Sequence, residues 1–364
     1  MKRSSRREFL RRATLAAAGA AVVDPRRLRA QPSEGGRWRT FEVTTKVEVL
    51  EHKGRTRVWL PTPLVETPYQ RTLGDTYRAD TGFVEMLERP SDSLDMLVAE
   101  WPEGIAPVLK VTSRVATRDH SVDLTRPSIT PPPDLSAFMA FLHPTKLIPL
   151  DGIVKKTADQ ITRGAGTDIE RARAIYDWIV DNTFRDPKTR GCGIGDIRFM
   201  LESGNLSGKC ADLNALFVGL ARASGIPARD VYGLRVAPSR LEARSLGLSS
   251  GNATRAQHCR AEVYLTGFGW VPVDPADVRK VALEEPPGHL AITDDKVRNA
   301  RARLFGSWEM NWIGFNYAHD VVLPGTKHGS IGFFMYPQAE TANGRIDSLD
   351  PDAFQYEIAV QEST

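Results

Sequence analysis

Gly208-Lys209-Cys210-Ala211-Asp212-Leu213-Asn214-Ala215-Leu216 reads as the opening of a helix with a cysteine at its head. Leu213, Leu216, Phe217 and Leu220 follow at helical spacing, and Gly225-Ile226-Pro227 ends the run. Glycine supplies the left-handed end and proline prevents continuation. A cysteine in a first helical turn faces unpaired amides and the positive end of the helix dipole, and both favour thiolate over thiol. Gly208 lets the backbone come close to a substrate carbonyl, with the Cys210 amide as donor to a developing oxyanion. A structural cysteine buried at a helix start fits the same residues. This segment alone leaves both readings open.

Two later stretches decide between them. His258-Cys259-Arg260-Ala261-Glu262-Val263-Tyr264-Leu265 heads a strand with a histidine, and Gly269-Trp270-Val271-Pro272-Val273-Asp274-Pro275 ends the next with an aspartate. A hairpin through Thr266-Gly267-Phe268 brings His258 and Asp274 together at its open end. The imidazole can then take the thiol proton while the carboxylate holds the opposite ring nitrogen, as nucleophile, base and orienter.

Together, Gly208 to Leu213, Gly225 to Arg229, His258 with Glu262-Val263-Tyr264, and Gly269 to Pro275 resemble the transglutaminase-like cysteine-enzyme superfamily. The resemblance covers about residues 150–280. It implies an α+β fold with a papain-like core, in which the cysteine-bearing helix packs on an antiparallel sheet carrying histidine and aspartate. It makes Cys210 the nucleophile, His258 the general base and acid, and Asp274 the orienter. It implies attack on a peptide or carboxamide carbonyl through a thioester, with no cofactor. Hydrolysis, as in a peptidase or amidase, is the expected outcome, because water is the default acceptor. Protein-glutamine transglutamination and a non-catalytic cell-envelope binding module are the alternatives. One departure is Arg260, where many members have an aromatic residue two places after the histidine.

Other motifs lack their structural setting. Gly247-Leu248-Ser249-Ser250-Gly251 matches G-x-S-x-G but sits in a polar loop without the strand and helix of a nucleophile elbow. Gly191-Cys192-Gly193-Ile194-Gly195 lacks the Lys-Ser/Thr ending of a phosphate loop and reads as flexible. Histidines 52, 120, 143, 258, 289, 319 and 328 show no metal-ligand spacing, so no metal is expected. The aromatic run Phe305 to Tyr317 fits core packing better than sugar or peptide binding. His319 and Asp320, as adjacent strand residues, point to opposite faces and read as structural. If Cys210 stays free in an oxidising compartment, Cys192 and Cys259 are the possible disulfide pair, with two independent core thiols the equal alternative.

Outward from the core, Phe41, Val43, Thr45, Val47 and Val49 alternate with polar residues as a half-buried strand. Thr56–Leu60, Leu97–Trp101 and Val108–Thr117 continue an all-β, sandwich-like unit over 36–125. Residues 126–134 form a proline-rich linker, 135–300 the catalytic core, and 301–364 a C-terminal extension packed on the core. Thr167-Asp168-Ile169-Glu170 is a capping-box candidate.

The 364 residues, 41% hydrophobic and 26% charged, have ordinary globular composition. Residues 1–30 hold nine Lys/Arg and two Asp/Glu, leaving a mildly acidic remainder with 39 basic and 43 acidic residues. Such a body offers no clustered positive charge for nucleic acid; the resemblance implies a peptide or protein substrate as the partner. Ser5-Arg6-Arg7-Glu8-Phe9-Leu10-Arg11, the apolar run Ala13 to Val23 and Leu28-Arg29-Ala30 resemble a twin-arginine export signal, implying a periplasmic or otherwise exported protein. No run of eighteen apolar residues offers a membrane anchor after cleavage.

Overall fold

Alternation in the Arg39–Val49 strand turns Phe41, Val43, Val47 and Val49 inward, and all four are buried. The computed structural model describes residues 36–64, 66–80, 83–89, 93–127, 135–241 and 243–363. The export motif and most of the proline-rich linker lie outside them. Two sheets form the N-terminal sandwich. One has the order Phe354–Ser363, Arg39–Val49, Val108–Thr117, Gln70–Ala79; the other runs Gly344–Ile346, Gln338–Thr341, Thr56–Pro61, Leu94–Trp101, Phe83–Arg89. Val47, Val58, Leu97, Trp101, Leu109 and Phe354 fill the space between them. The strands Gln70–Ala79 and Phe83–Arg89 escape a sequence reading. They lie at sheet edges and are mostly exposed or half-buried, so they lack clean alternation.

The second unit is an antiparallel sheet ordered Gly269–Val273, Gln257–Leu265, Ala228–Arg235, Trp312–Asn316. The Cys210–Ala223 helix, buried along its whole length, packs on the two central strands. Around it stand Gly152–Ile161, Asp168–Asn182 and Pro275–Glu284. The Asp168–Asn182 helix opens on the expected capping box: Thr167 accepts from the Glu170 amide, and the Glu170 carboxylate accepts from the Thr167 amide at 3.0 Å. Another apolar cluster holds Tyr69, Phe138, Val231, Trp270, Trp308 and Trp312. Much of the C-terminal aromatic run is thus core, as its composition indicates. His319 and Asp320 diverge: His319 approaches Asp230 at 3.2 Å, while Asp320 accepts from the Lys146 amide.

Residues 301–364 are not a single extension packed on the core. Trp312–Asn316 is an edge strand of the core sheet, but Gln338–Thr341, Gly344–Ile346 and Phe354–Ser363 complete the N-terminal sandwich. Phe354–Ser363 pairs with nearly the full length of Arg39–Val49, from Thr40↔Ser363 to Val49↔Phe354. The cause is the exposed ladder that Arg39–Val49 would otherwise present. Deleting residues 354–363 should therefore unfold the sandwich rather than trim a tail. Burial of Phe354 and Ile358 alone contributes about 3–6 kcal/mol. A thermal melt of the truncated chain unchanged from full length would contradict this.

Candidate active site

Cys210 is the first residue of its helix and is 4% exposed. As a first-turn residue its amide has no partner within the helix. The turn is fixed from the preceding loop by Asp212. Its Oδ1 accepts from the Ile194 and Gly195 amides and its Oδ2 from the Lys209 amide, each at 2.9 Å. A Cβ on Gly193 or Gly208 would overlap that carboxylate, and Gly193 also has φ +97°. The glycine-rich stretch 191–195, expected to be flexible, is thus clamped onto the helix start, with the Cys192 carbonyl accepting from Ala211 at 2.9 Å.

The hairpin closes with Leu265 opposite Gly269 and brings His258 and Asp274 to its open end. His258 Nε2 lies 2.8 Å from Asp274 Oδ2, which leaves Nδ1 as the ring nitrogen available to Cys210. Asp274 also caps the next helix, accepting from the Asp277 amide at 3.0 Å, and Pro275 occupies the position where its missing N–H costs nothing. Asn214, one turn after Cys210, donates to the Cys259 carbonyl at 2.9 Å and to Asp274 Oδ1 at 3.2 Å. One amide therefore ties the cysteine helix, the histidine strand and the aspartate together. Gly233, opposite His258, leaves room for the Trp312 ring, whose Nε1 donates to the His258 carbonyl at 2.8 Å.

Two charged neighbours, Asp277 and Arg235, escape a sequence reading, and a third, Arg260, is read there only as a departure from the family pattern. Asp277 Oδ2 is 3.4 Å from His258 Nε2, and Asp277 Oδ1 accepts from Arg235 at 2.6 Å. Arg260 Nε is 3.7 Å from Asp274 Oδ2, with its guanidinium 4.9 Å from the Trp312 ring centre and 5.3 Å from that of Trp308. The departure at position 260 thus places a buried cation beside the candidate orienting carboxylate. His258, Asp274 and Asp277 have ligand atoms within 4.8 Å of one another, the spacing of a metal cluster. Arg235 and Arg260 already supply the positive charge such an ion would bring, so these residues do not fit a metal.

Burial and the Arg235 charge press the His258 pKa down, but Asp277 and Asp274 outweigh them and carry it up to about 9. Cys210 is held well below the ordinary thiol range by hydrogen bonds from Cys192 and Cys259 and by the His258 charge, against the opposing effect of burial. Cys192 and Cys259 are raised in turn, Cys192 chiefly by that hydrogen bond and Cys259 chiefly by burial. The 192–259 disulfide is not formed: all three cysteines are free, and the other two thiols lie against Cys210. Asp277 stays well below the usual carboxylate range; Arg235 and His258 overcome its burial. Replacing Asp277 with Asn should lower the His258 pKa from about 9 and leave Arg235 buried without its partner. The expected cost is about 3 kcal/mol of stability. Denaturant melts, with iodoacetamide inactivation followed against pH, would reveal both effects. Unchanged curves would remove Asp277 from the site.

Cys210 and His258 line a cleft of about 1120 Å³. Its walls come from the core loops around 185–192 and 247–257, and from Lys46, Glu48 and residues 354–357 of the sandwich. The G-x-S-x-G loop is one of these walls.

The sequence model of the transglutaminase-like superfamily matches residues 155–275. An uncharacterized protein of Haemophilus influenzae is 37% identical over 336 residues, which is 87% of this chain and 90% of the relative. The crystal structure of a candidate cysteine protease from Cytophaga hutchinsonii superposes over 90% of this chain and 99% of its own, with a TM-score of 0.51 at 17% identity, a likeness of fold.

Proposed function

From the premise that the chain belongs to the transglutaminase-like superfamily, we propose that it is an exported cysteine hydrolase acting on peptide or carboxamide bonds, with Cys210, His258 and Asp274 as its catalytic residues. The observation that carries this reading is the 2.8 Å His258–Asp274 contact beside a depressed-pKa cysteine on an open cleft. The Cys210 thiolate attacks the carbonyl carbon, forming a C–S bond and pushing the π pair onto oxygen, where the Cys210 amide donates. Collapse breaks the C–N bond as the imidazolium passes its proton to the leaving nitrogen. Water, deprotonated by His258, then attacks the thioester and releases the acid, and the thiolate is restored. A lysine amine in place of water would make the same acyl-enzyme a transglutaminase.

The test is to incubate the mature protein with cell-wall peptides and protein mixtures and read the products by mass spectrometry. Gain of water at a cleaved amide supports hydrolysis; loss of ammonia with a new crosslink supports transfer. No product with either material would count against both.

Export follows from the Ser5–Arg11 motif. Among the described residues no helix is long and apolar enough to cross a membrane. Arg6→Lys combined with Arg7→Lys should leave the protein inside the cell. Fractionation showing unchanged export would rule out the twin-arginine route.

A further inference from the structure

We infer that the cleft takes an acyl donor carrying carboxylate groups close to the scissile carbonyl, with Lys209 and Arg255 as the residues that hold them; this rests on the acyl-transfer reading above. Among the described residues, seven Lys and Arg side chains line the cleft against two acids, Glu48 and Glu357. That is a local reversal of sign in a body whose acidic residues outnumber its basic ones beyond residue 30. Four of the cations are engaged: Lys46 with Glu48, Arg190 with Asp347, Arg235 with Asp277, and Arg185 with Glu284. Lys280 reaches only the same Glu284, at 3.6 Å, so two cations share one carboxylate. Lys209 and Arg255 have no ion-pair partner among the described residues, and both face the cleft.

The positions of these groups fit recognition rather than folding. Lys209 immediately precedes Cys210 in the chain and lines the same cleft. Arg255 comes from the loop that leads into His258, on another wall. Lys280 is largely buried, and burial with repulsion from Arg235 lowers its pKa. A bound carboxylate would relieve that strain on its charge. Cations left unpaired around a cleft focus a positive potential into it, which concentrates anionic ligands and repels cationic ones. A peptide with aspartate, glutamate or a free carboxyl terminus next to the cleaved bond meets these requirements.

Two measurements on the full mature protein test this. The first compares Cys210 alkylation by iodoacetate, an anion, with alkylation by neutral iodoacetamide. Both reagents consume the same thiolate, so the ratio of their rates cancels its pKa and reports local potential. Against a small neutral cysteine amide, the ratio should rise about 10-fold at low ionic strength and fall with added salt. Lys209→Gln and Arg255→Gln should each return it part of the way. A ratio equal to that of the free thiol, or one untouched by both variants, overturns the inference. The second presents three matched peptide libraries whose positions flanking the central amides are acidic, neutral amide or basic. Faster cleavage of the acidic library, with the preference reduced in Lys209→Gln and Arg255→Gln, supports the assignment. Equal cleavage of acidic and neutral libraries overturns the carboxylate donor and leaves the hydrolase reading standing. No cleavage of any library overturns the hydrolase reading, and the donor assignment falls with it.

Discussion

Cys210→Ala is expected to abolish acyl transfer, a loss of about 10⁴–10⁶-fold, while the protein stays folded. The size follows from chemistry: without sulfur no thioester forms, and only the background from oriented donors and binding remains. The fold should survive because alanine replaces cysteine in a first helical turn held by Asp212, Asn214 and the buried face of the helix, none of which uses the sulfur. The three thiols lie together, so the assignment needs controls. Cys259→Ala removes a hydrogen bond that holds the thiolate, and Cys192→Ala removes a neighbouring thiol that also donates to the Gln257 carbonyl at 3.2 Å. They should raise the Cys210 pKa and slow turnover near neutrality without abolishing it. Turnover assays with circular dichroism on the three purified variants would separate these roles. Retained activity in Cys210→Ala, or its loss in Cys192→Ala alone, would give the nucleophile to another sulfur.

The second large effect is the pH signature of the Cys210–His258 pair. With the thiol held low and the imidazole at about 9, thiolate and imidazolium coexist over the window between them. Iodoacetamide should therefore inactivate the wild type rapidly at neutral pH, where an ordinary thiol of pKa about 8.5 is mostly protonated. His258→Ala removes the positive charge and the proton acceptor. Its alkylation curve should move towards the ordinary thiol value, and its turnover should fall by about 10³-fold or more. Asp274→Asn should move the curve less, since Asp277 still faces the ring. The titrations are coupled, so each apparent value belongs to the pair. Stability follows the same signs. The raised His258 contributes stability that is complete below its unfolded value of about 6.5 and is lost as pH rises through about 9. The depressed Cys210 contributes stability present above its unfolded value of about 8.5, lost as pH falls through its folded value. A wild-type alkylation profile with an ordinary thiol pKa, unaltered in His258→Ala, would show that the two are not partners in the resting protein.

The placement of Cys210, His258 and Asp274 was legible where it depends on short stretches of chain. Helical spacing from Leu213 to Leu220 places Cys210 in a first turn, and period-two strands joined at residues 266–268 bring His258 to Asp274, because hairpin register is fixed locally. Asp277 carried a local signal that is easily missed. Asp274-Pro275 is a helix cap followed by a proline suited to the first turn, and a residue three places on returns to the same face.

Nothing local announced the rest. Arg235 comes from a neighbouring strand, and Arg260 takes its place among Trp308, Trp312 and Asp274 only because segments far apart in the chain converge. Gly193 reads as a loop glycine, and Gly208 as room for a substrate carbonyl, until the Asp212 carboxylate fills the space their side chains would take. Residues 354–363 looked like part of a tail; they became the partner of Arg39–Val49 and one wall of the cleft because an unpaired strand edge accepts any chain the fold brings alongside. Sequence determined that Cys210, His258 and Asp274 come together, since periodicity and turn chemistry are local. Packing decided their charges and what the cleft can admit, since electrostatic energy depends on distances through space that residue spacing does not encode.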